Sequence, residues 1–481
     1  MDLSFLLTSS FWIKATMLFL SLSILVVFHE FGHYSFARLF GVWVEKFYMF
    51  FNYKLTLVKW KPRRYLKWFS LGSEMGNMEE TSDEQSGEDK TSWRATEYGI
   101  GWIPLGGYCS IAGMIDESMN TEAMKQPAKP WEFRSKAAWK RLLIMLGGVL
   151  FNLLLAMMIH SGLVYTQGEH IIKFTDITDG MVFSDAAKSV GFKDGDILLK
   201  ADDHVLFNAM DGSELNDVAM AKQVTVMRNG KDTVINLPKG FIGKLEEDAK
   251  KGQAFVTPRM PVVVKETMLN QGGEKAGLQA GDRMVAVNGV PTPTYTEFTA
   301  ELAKNKGKSI QLDLNRDGKP MTIANVSVDD DGKLGIMLAD LTMVYKTTKL
   351  HYNLLQSIPR GIQLGWKQTI TYIKQLKLIF TPEGAKSVGS FGTIGSIFPS
   401  SWDWVGFWSI TAFISVILAV MNLLPIPALD GGHVVFLLYE MITRRKPSLK
   451  FMEVAQMVGM VLIIALMVYA IGNDIFRFVI K

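Results

Sequence analysis

The chain has 481 residues, 48% of them hydrophobic and only 20% charged, a balance too apolar for an ordinary soluble protein of this size. Its formal net charge of +4 comes with no basic stripe interleaved with aromatics, which argues against nucleic acid as a partner. The single cysteine, Cys109, excludes an intramolecular disulfide and any C-x-x-C motif, and reads as a small apolar filler.

Four apolar stretches organise the chain, at about Phe11–Phe40, Leu142–Tyr165, Phe407–Leu424 and Met457–Ile471. Each approaches the ~20 residues that a helix needs to cross a hydrocarbon core, the last with help from its flanks. The first does not read as a signal peptide, because residues 1–10 hold no basic residue and no small-residue cleavage pattern follows. Basic residues gather between the first two stretches (Lys46, Lys54, Lys59, Lys61, Arg63, Arg64 and Lys67, then Arg134, Lys136, Lys140 and Arg141). They gather again between the last two, at Arg444, Arg445, Lys446 and Lys450. The positive-inside rule places these loops in the cytoplasm, and both termini and the segment from about Gln167 to Trp404 across the membrane. The acidic run Glu79–Lys90 within the first loop is expected to be flexible and solvated.

The long outer segment contains an internal echo. Gly191 to Lys200 resembles Gly277 to Ala286, and each copy is followed by a turn, at Asp202-Asp203 and at Asn288-Gly289. Alternating strands then flank Asn229-Gly230 (Gln223 to Met227, Thr233 to Leu237) and Asp317-Gly318 (Ile310 to Asn315, Met321 to Val326), which are hairpin signals. The pattern resembles two tandem PDZ domains, a fold in which an extended peptide can add to a sheet edge. A role confined to spacing or stabilising the membrane part is equally open. From Leu354 to Phe380, Ile358, Ile362, Trp366, Ile370, Ile373, Leu376 and Ile379 fall at helical spacing among basic residues. That predicts an amphipathic helix on the membrane face, or one packed against the PDZ-like units.

The motif that carries chemistry is His29-Glu30-Phe31-Gly32-His33. Positions i and i+4 share a helix face, so both imidazoles can hold one metal while Glu30 sits beside them. Zinc held by neutral donors brings the pKa of a bound water toward 7, and the glutamate can take that proton as the water attacks a carbonyl. The cluster ends an apolar run, where each ionisable group costs about 2.5 kcal/mol or more unless paired or functional. Catalytic zinc takes three protein ligands, and the candidate third is Asp430, which follows Asn422-Leu-Leu-Pro-Ile-Pro-Ala-Leu429. Pro425 and Pro427 stop the third apolar helix, and Gly431-Gly432 is expected to let the backbone turn tightly there. His433 reads equally as a group behind the ligands or as packing, and His160 as an interhelical polar residue.

These motifs, with Ile103 to Tyr108, Gly147-Gly148, Asn152 and Leu429 to His433, resemble the site-2 protease family of intramembrane zinc metalloproteases. The likeness is to its bacterial branch with two PDZ domains, which performs regulated intramembrane proteolysis. It implies a polytopic α-helical membrane protein of about four transmembrane helices with two β-rich PDZ-like extracytoplasmic domains. Residues 1–165 would form the first part of the metalloprotease core, with a cytoplasmic β-loop insertion over 43–100. Residues 166–245 and 255–345 would be the PDZ-like domains, 350–400 the membrane-associated helix and linker, and 401–481 the rest of the core. The resemblance further implies Zn2+ on His29, His33 and Asp430, Glu30 as catalytic base, and Asn422, Pro425 and Asn152 as substrate-binding residues. From the residues alone, Asn152 and Asn422 read equally as helix–helix hydrogen-bonding groups. Gly392 would lie in a Gly-rich approach to the third membrane helix.

Implied partners are membrane lipid and transmembrane protein or peptide substrates already trimmed by another protease, anti-sigma-factor-like proteins first and signal-peptide remnants second. The implied location is the bacterial inner membrane, with the active site toward the cytoplasm. The chain departs from the branch in having Phe50-Phe51-Asn52 where a Gly-Phe-Gly-like loop is usual, and in a longer insertion through about Thr96. A prenyl-protein-processing metalloprotease is the alternative enzyme, but takes a glutamate as third ligand and lacks PDZ-like modules. A non-catalytic PDZ scaffold would need the ligands and base to be lost, and all are present. A substrate helix must also unwind to be cut, which exposes polar groups at several kcal/mol each. Replacement partners are expected from a hairpin edge over Trp43 to Val58 or from the Asn422 amide.

Overall fold

The computed structural model describes residues 9–62, 64–71, 90, 92–103, 106–114, 126–250, 253–268, 271–376 and 389–476. Residues 79–89 of the acidic run, 104–105 of the Ile103–Tyr108 motif and 377–380 of the amphipathic segment lie outside the described residues. The chain divides into two compact units, one of residues 1–167 with 352–481 and one of residues 168–351.

The first unit holds α1 (Ser9–Leu39), α2 (Ala138–Gln167), α3 (Leu354–Gln375), α4 (Phe391–Ser396), α5 (Trp404–Asn422), α6 (Asp430–Thr443) and α7 (Leu449–Ile475). Four of them (α1, α2, α5 and α7) are long and apolar enough to cross a membrane. Three of these interlock through small and polar side chains, as helices do where lipid offers no hydrophobic drive. Gly32 of α1 meets Gly147 of α2 so closely that a Cβ on Gly32 would lie 2.2 Å from the Gly147 carbonyl oxygen. Thr411 of α5 donates to Ser21 of α1 at 3.0 Å, and Ser415 donates to the Asn152 carbonyl of α2 at 2.7 Å. By contrast α7 leaves Val458, Val461, Leu462 and Val468 more than half exposed, as a lipid-facing span would.

The amphipathic helix expected here forms as α3, and it packs on α2 through its small side chains and not its apolar ones. Its buried seam is Ser357, Gly361, Gly365 and Thr369, spaced four apart, and Gly361 lies against Ser161 of α2 where a Cβ would be 2.2 Å from the hydroxyl. Ile358, Ile362, Trp366, Ile370 and Ile373 are exposed. His160 does pair between helices, its Nε2 standing 2.8 Å from Gln368 Oε1.

Between α1 and α2 the chain forms β1 (Val44–Met49), β2 (Phe51–Lys61), β3 (Tyr65–Leu71), β4 (Glu97–Ile103) and β5 (Tyr108–Ile111). They make one sheet in the order β3-β2-β4-β1-β5, with β1 and β4 parallel and the other neighbours antiparallel. The hairpin expected over Trp43 to Val58 therefore does not form, because β4 lies between its two arms. Two glycines of β4 admit it there. A Cβ on Gly99 would sit 2.3 Å from the Tyr48 ring, and one on Gly101 would sit 2.2 Å from the Phe51 carbonyl oxygen. Phe50 takes the left-handed turn at φ 69° that separates the arms. The sheet ends on β5, whose outer edge pairs with no strand among the described residues.

The second unit carries the repeat in its architecture. One four-stranded sheet runs Lys231–Asn236, Gln223–Arg228, Ile197–Ala201, His204–Val205, and the other runs Lys319–Ser327, Ser309–Arg316, Arg283–Val287, Val290–Pro291. Each has its own apolar core, with Phe174, Phe192, Leu198 and Val224 in the first and Val262, Leu278, Leu312 and Val326 in the second. The same buried ion pair recurs. Arg228 donates from two nitrogens to Asp196 and once to the Gly191 carbonyl, and Arg316 does so to Asp282 and Gly277. Burial pushes the Asp282 carboxyl up, but the Arg316 guanidinium and the Gln279 amide outweigh it and hold it below the ordinary carboxylate range. The resulting stabilisation is present above the unfolded-state value of about 3.9 and is lost as pH falls through the lower folded value.

Candidate metal centre

His29 and His33 lie one turn apart on α1, and Asp430 opens α6. Their donor atoms converge. His29 Nε2 is 3.2 Å from His33 Nε2, and Asp430 Oδ2 is 3.2 Å and 3.3 Å from the two imidazole nitrogens. A tetrahedral zinc with bonds of about 2.0–2.1 Å separates its ligand atoms by roughly 3.3–3.4 Å. The triangle is thus one face of such a tetrahedron, and among the described residues it is the cluster able to hold a metal. Asp430 Oδ2 is buried without a hydrogen-bond donor, which an ion in the triangle would satisfy. The donor set and its spacing fit zinc.

The surroundings fix both rings. His33 Nδ1 stands 2.9 Å from the Ile144 carbonyl oxygen, so it carries the proton and leaves Nε2 free to ligate. His29 Nδ1 stands 3.2 Å from the side-chain nitrogen of Asn152, which is fully buried and whose Oδ1 has no donor. Rotating that amide by half a turn lets Oδ1 accept from the His29 Nδ1–H. Asn422, the last residue of α5, brings its amide nitrogen to 3.3 Å from His29 Nε2. Pro425 lies exposed in the following loop. Glu30 borders the group, with Gly107, just before β5, close to its Cγ. His433 is half-buried on α6, edge-on to Phe436.

Asp430 reaches the histidines by a route only partly legible in the sequence. The left-handed residue of the loop is Ala428, at φ 88°, and not Gly431 or Gly432. Those two form the first turn of α6 and serve close approach. A Cβ on Gly431 would lie 2.1 Å from the Leu424 carbonyl oxygen, and one on Gly432 2.6 Å from Pro427 Cα. On the far side, a Cβ on Gly459 of α7 would lie 1.4 Å from the Pro427 carbonyl oxygen. Arg141 of α2 and Glu440 of α6 meet at 2.5 Å, both nearly buried, and tie α6 to α2. No motif singled out Gly459 or this ion pair. The apolar periodicity of α7 was the only available signal, and it is silent about which glycine faces protein.

Gly148 makes room for the centre itself. A Cβ there would lie 2.4 Å from His29 Cε1 and 2.5 Å from His33 Nε2. Gly148→Ala is therefore expected to displace both rings and lower zinc affinity by more than about tenfold, the lower bound for losing an outer-shell support. Gly162→Ala, on the same helix with nothing within 4 Å, should leave metal content unchanged. Zinc measured after purification of the two variants checks this.

The chain matches the profile of peptidase family M50 over residues 17–83 and 89–466. It is similar to the regulator of sigma E protease of Haemophilus influenzae, at 25% identity over 95% of this chain and 97% of that protein. Regulator of sigma-E protease RseP of Escherichia coli is 27% identical over the same shares of the two chains. A protein of Ralstonia nicotianae named as a zinc metalloprotease is 26% identical, again over 95% of this chain and 97% of that one.

Proposed function

The chain belongs to peptidase family M50 and is a zinc metalloprotease with membrane-spanning helices, and from that premise we propose which residues carry the reaction and what it cuts. The observation that carries the reading is the 3.2–3.3 Å triangle of His29, His33 and Asp430 donors, built on helices α1 and α6 within the membrane unit. These three residues hold the zinc. When bound, zinc supplies Lewis acidity to water and to the scissile carbonyl. Glu30, no ligand itself, takes the proton of the attacking water and returns it to the leaving amine as the C–N bond breaks. Asn152 positions His29 from behind and is too buried to reach substrate, so the substrate-facing roles fall to Asn422 and Pro425.

The substrate is a transmembrane segment of a single-pass protein. Its peptide carbonyls are bonded within its own helix, so the cut needs local unwinding and replacement partners. The open edge of β5 lies beside Glu30 and can supply main-chain partners, with the Asn422 amide as a further donor. The names of the relatives make an anti-sigma-factor-like membrane protein the first substrate class to try, and signal-peptide remnants the second. The two repeats of the 168–351 unit are PDZ-like domains on the extracytoplasmic side of a bacterial inner membrane, where they exclude large ectodomains. The basic loops, and the active site with them, face the cytoplasm.

Matched substrates test this reading. A segment with Gly or Asn near the cut should be cleaved at least about tenfold faster than an all-Leu twin, since one avoided unsatisfied group is worth more than 1.4 kcal/mol. Equal rates would refute the unwinding step. A trimmed substrate should be cut and its full-length form spared, and equal cleavage of both would refute the size filter.

A further inference from the structure

The hairpin of β2 and β3 has two faces that the protease reaction does not use, both with exposed aromatic side chains and one with paired lysines as well. The pairs Val58–Trp68 and Trp60–Leu66 lie directly opposite and share one face. On it Leu66 is 60% and Trp68 64% exposed. The other face carries the pairs Lys59–Lys67 and Lys61–Tyr65, with Phe69, 69% exposed, in the same alternation. Like charges directly opposite on a sheet repel, and among the described residues neither Lys59 nor Lys67 has a carboxylate partner. Among the described residues Lys54, at the other end of β2, lies against the Tyr53 ring. Exposed aromatics on a hairpin that also carries Lys59 and Lys67 without carboxylate partners among the described residues are the chemistry of a membrane–water interface with anions at the headgroups.

Its depth agrees. Trp60 stacks on Tyr98 at 5.3 Å between centroids, and the Tyr98 hydroxyl bonds that of Tyr34 on α1 at 2.7 Å. Tyr34 stands five residues before the end of α1, about 7.5 Å along the axis. With 31 residues, α1 is about 46 Å long, enough to cross the core and both headgroup layers. The ring chain therefore attaches the hairpin at the headgroup level.

We propose that the β2–β3 hairpin docks on the anionic phospholipid surface of the membrane that the helices cross, with Trp60, Leu66 and Trp68 in the interface and Lys59 and Lys67 on headgroup phosphates. The docked hairpin then sets the height of the whole sheet. Through β4 and β1 that includes β5, which begins beside Glu30. The consequence for cleavage rests on the catalytic reading above; the docking does not.

The test is hydrogen–deuterium exchange of residues 57–69 in the full chain. It is reconstituted in vesicles of phosphatidylcholine alone and of phosphatidylcholine with phosphatidylglycerol. Protection should rise in the anionic vesicles and should be lost in Lys59→Gln/Lys67→Gln, because each lysine strengthens attachment to an anionic leaflet about fivefold. The Glu30→Gln form should show the same protection, which separates docking from catalysis. Equal exchange in the two vesicles overturns the proposal. So does protection that appears only with an added substrate protein, which would make the hairpin a protein-docking site. The acidic run Glu79–Asp89 is the rival for these lysines. Anionic-vesicle protection seen only after deletion of 74–88 would assign them to that run and also overturn the proposal.

Discussion

Glu30→Gln is expected to reduce cleavage by about 10²–10⁴-fold, the contribution of one positioned general base, with zinc content unchanged. The geometry separates the two functions. The donor triangle that could hold a metal is made by His29, His33 and Asp430, whereas Glu30 lies outside it, beside Gly107 just before β5. Glutamine is nearly isosteric, so helix packing and the ligand triangle persist, but an amide cannot accept the water's proton. A drop of that size equals about 3–5 kcal/mol of transition-state stabilisation. Metal analysis of the purified variant, alongside cleavage of a transmembrane substrate, checks both halves. Loss of zinc would make Glu30 a ligand, and retained turnover would remove it as the base.

Asp430→Ala should lose zinc and activity together. Two imidazoles leave a tetrahedral centre open at two positions. The loss in affinity should exceed the about 10–100-fold typical of an outer-shell residue. The substitution also frees the opening turn of α6, although Arg141–Glu440 and the close packing of Gly431 and Gly432 against the 423–427 loop remain to hold it. Asp430→Glu, longer by one methylene, should recover part of the metal without the full rate. Full zinc stoichiometry with normal turnover in Asp430→Ala would mean that another residue is the third ligand.

Much of the membrane unit could be read from the sequence, because its signals are long or chemically rare. Apolar runs marked the four spans, and the i, i+4 histidines with Glu30 marked one face of α1. Asp430 was found through Pro425 and Pro427, yet α6 went unseen, since its opening Asp-Gly-Gly resembles a turn by local preference. The glycines there pack and do not turn, which depends on neighbours far along the chain. Strand order failed for a similar reason. Alternation in 44–60 describes strands, but which strand lies between them is decided by Gly99 and Gly101, whose missing side chains admit Tyr48 and Phe51. The placement of Asn152 behind His29 is likewise a tertiary fact. Its family motif suggested substrate contact, and only its burial and orphaned oxygen point to a positioning role. In the second unit the repeat was legible, but not the recurring Asp196–Arg228 and Asp282–Arg316 pairs, whose partners lie more than thirty residues apart.

A single metal site between α1 and α6, made by His29, His33 and Asp430, would serve cleavage of a peptide bond inside a membrane segment. The most direct test of this is the purified chain in lipid vesicles with a single-pass substrate, assayed as isolated, after chelation and after zinc is returned. Metal content and product masses are read at each stage. The account predicts one zinc per chain, cleavage within the transmembrane sequence, loss of cleavage on chelation and recovery with zinc. Undiminished cleavage by the metal-free chain, or products cut only outside the membrane segment, would contradict it.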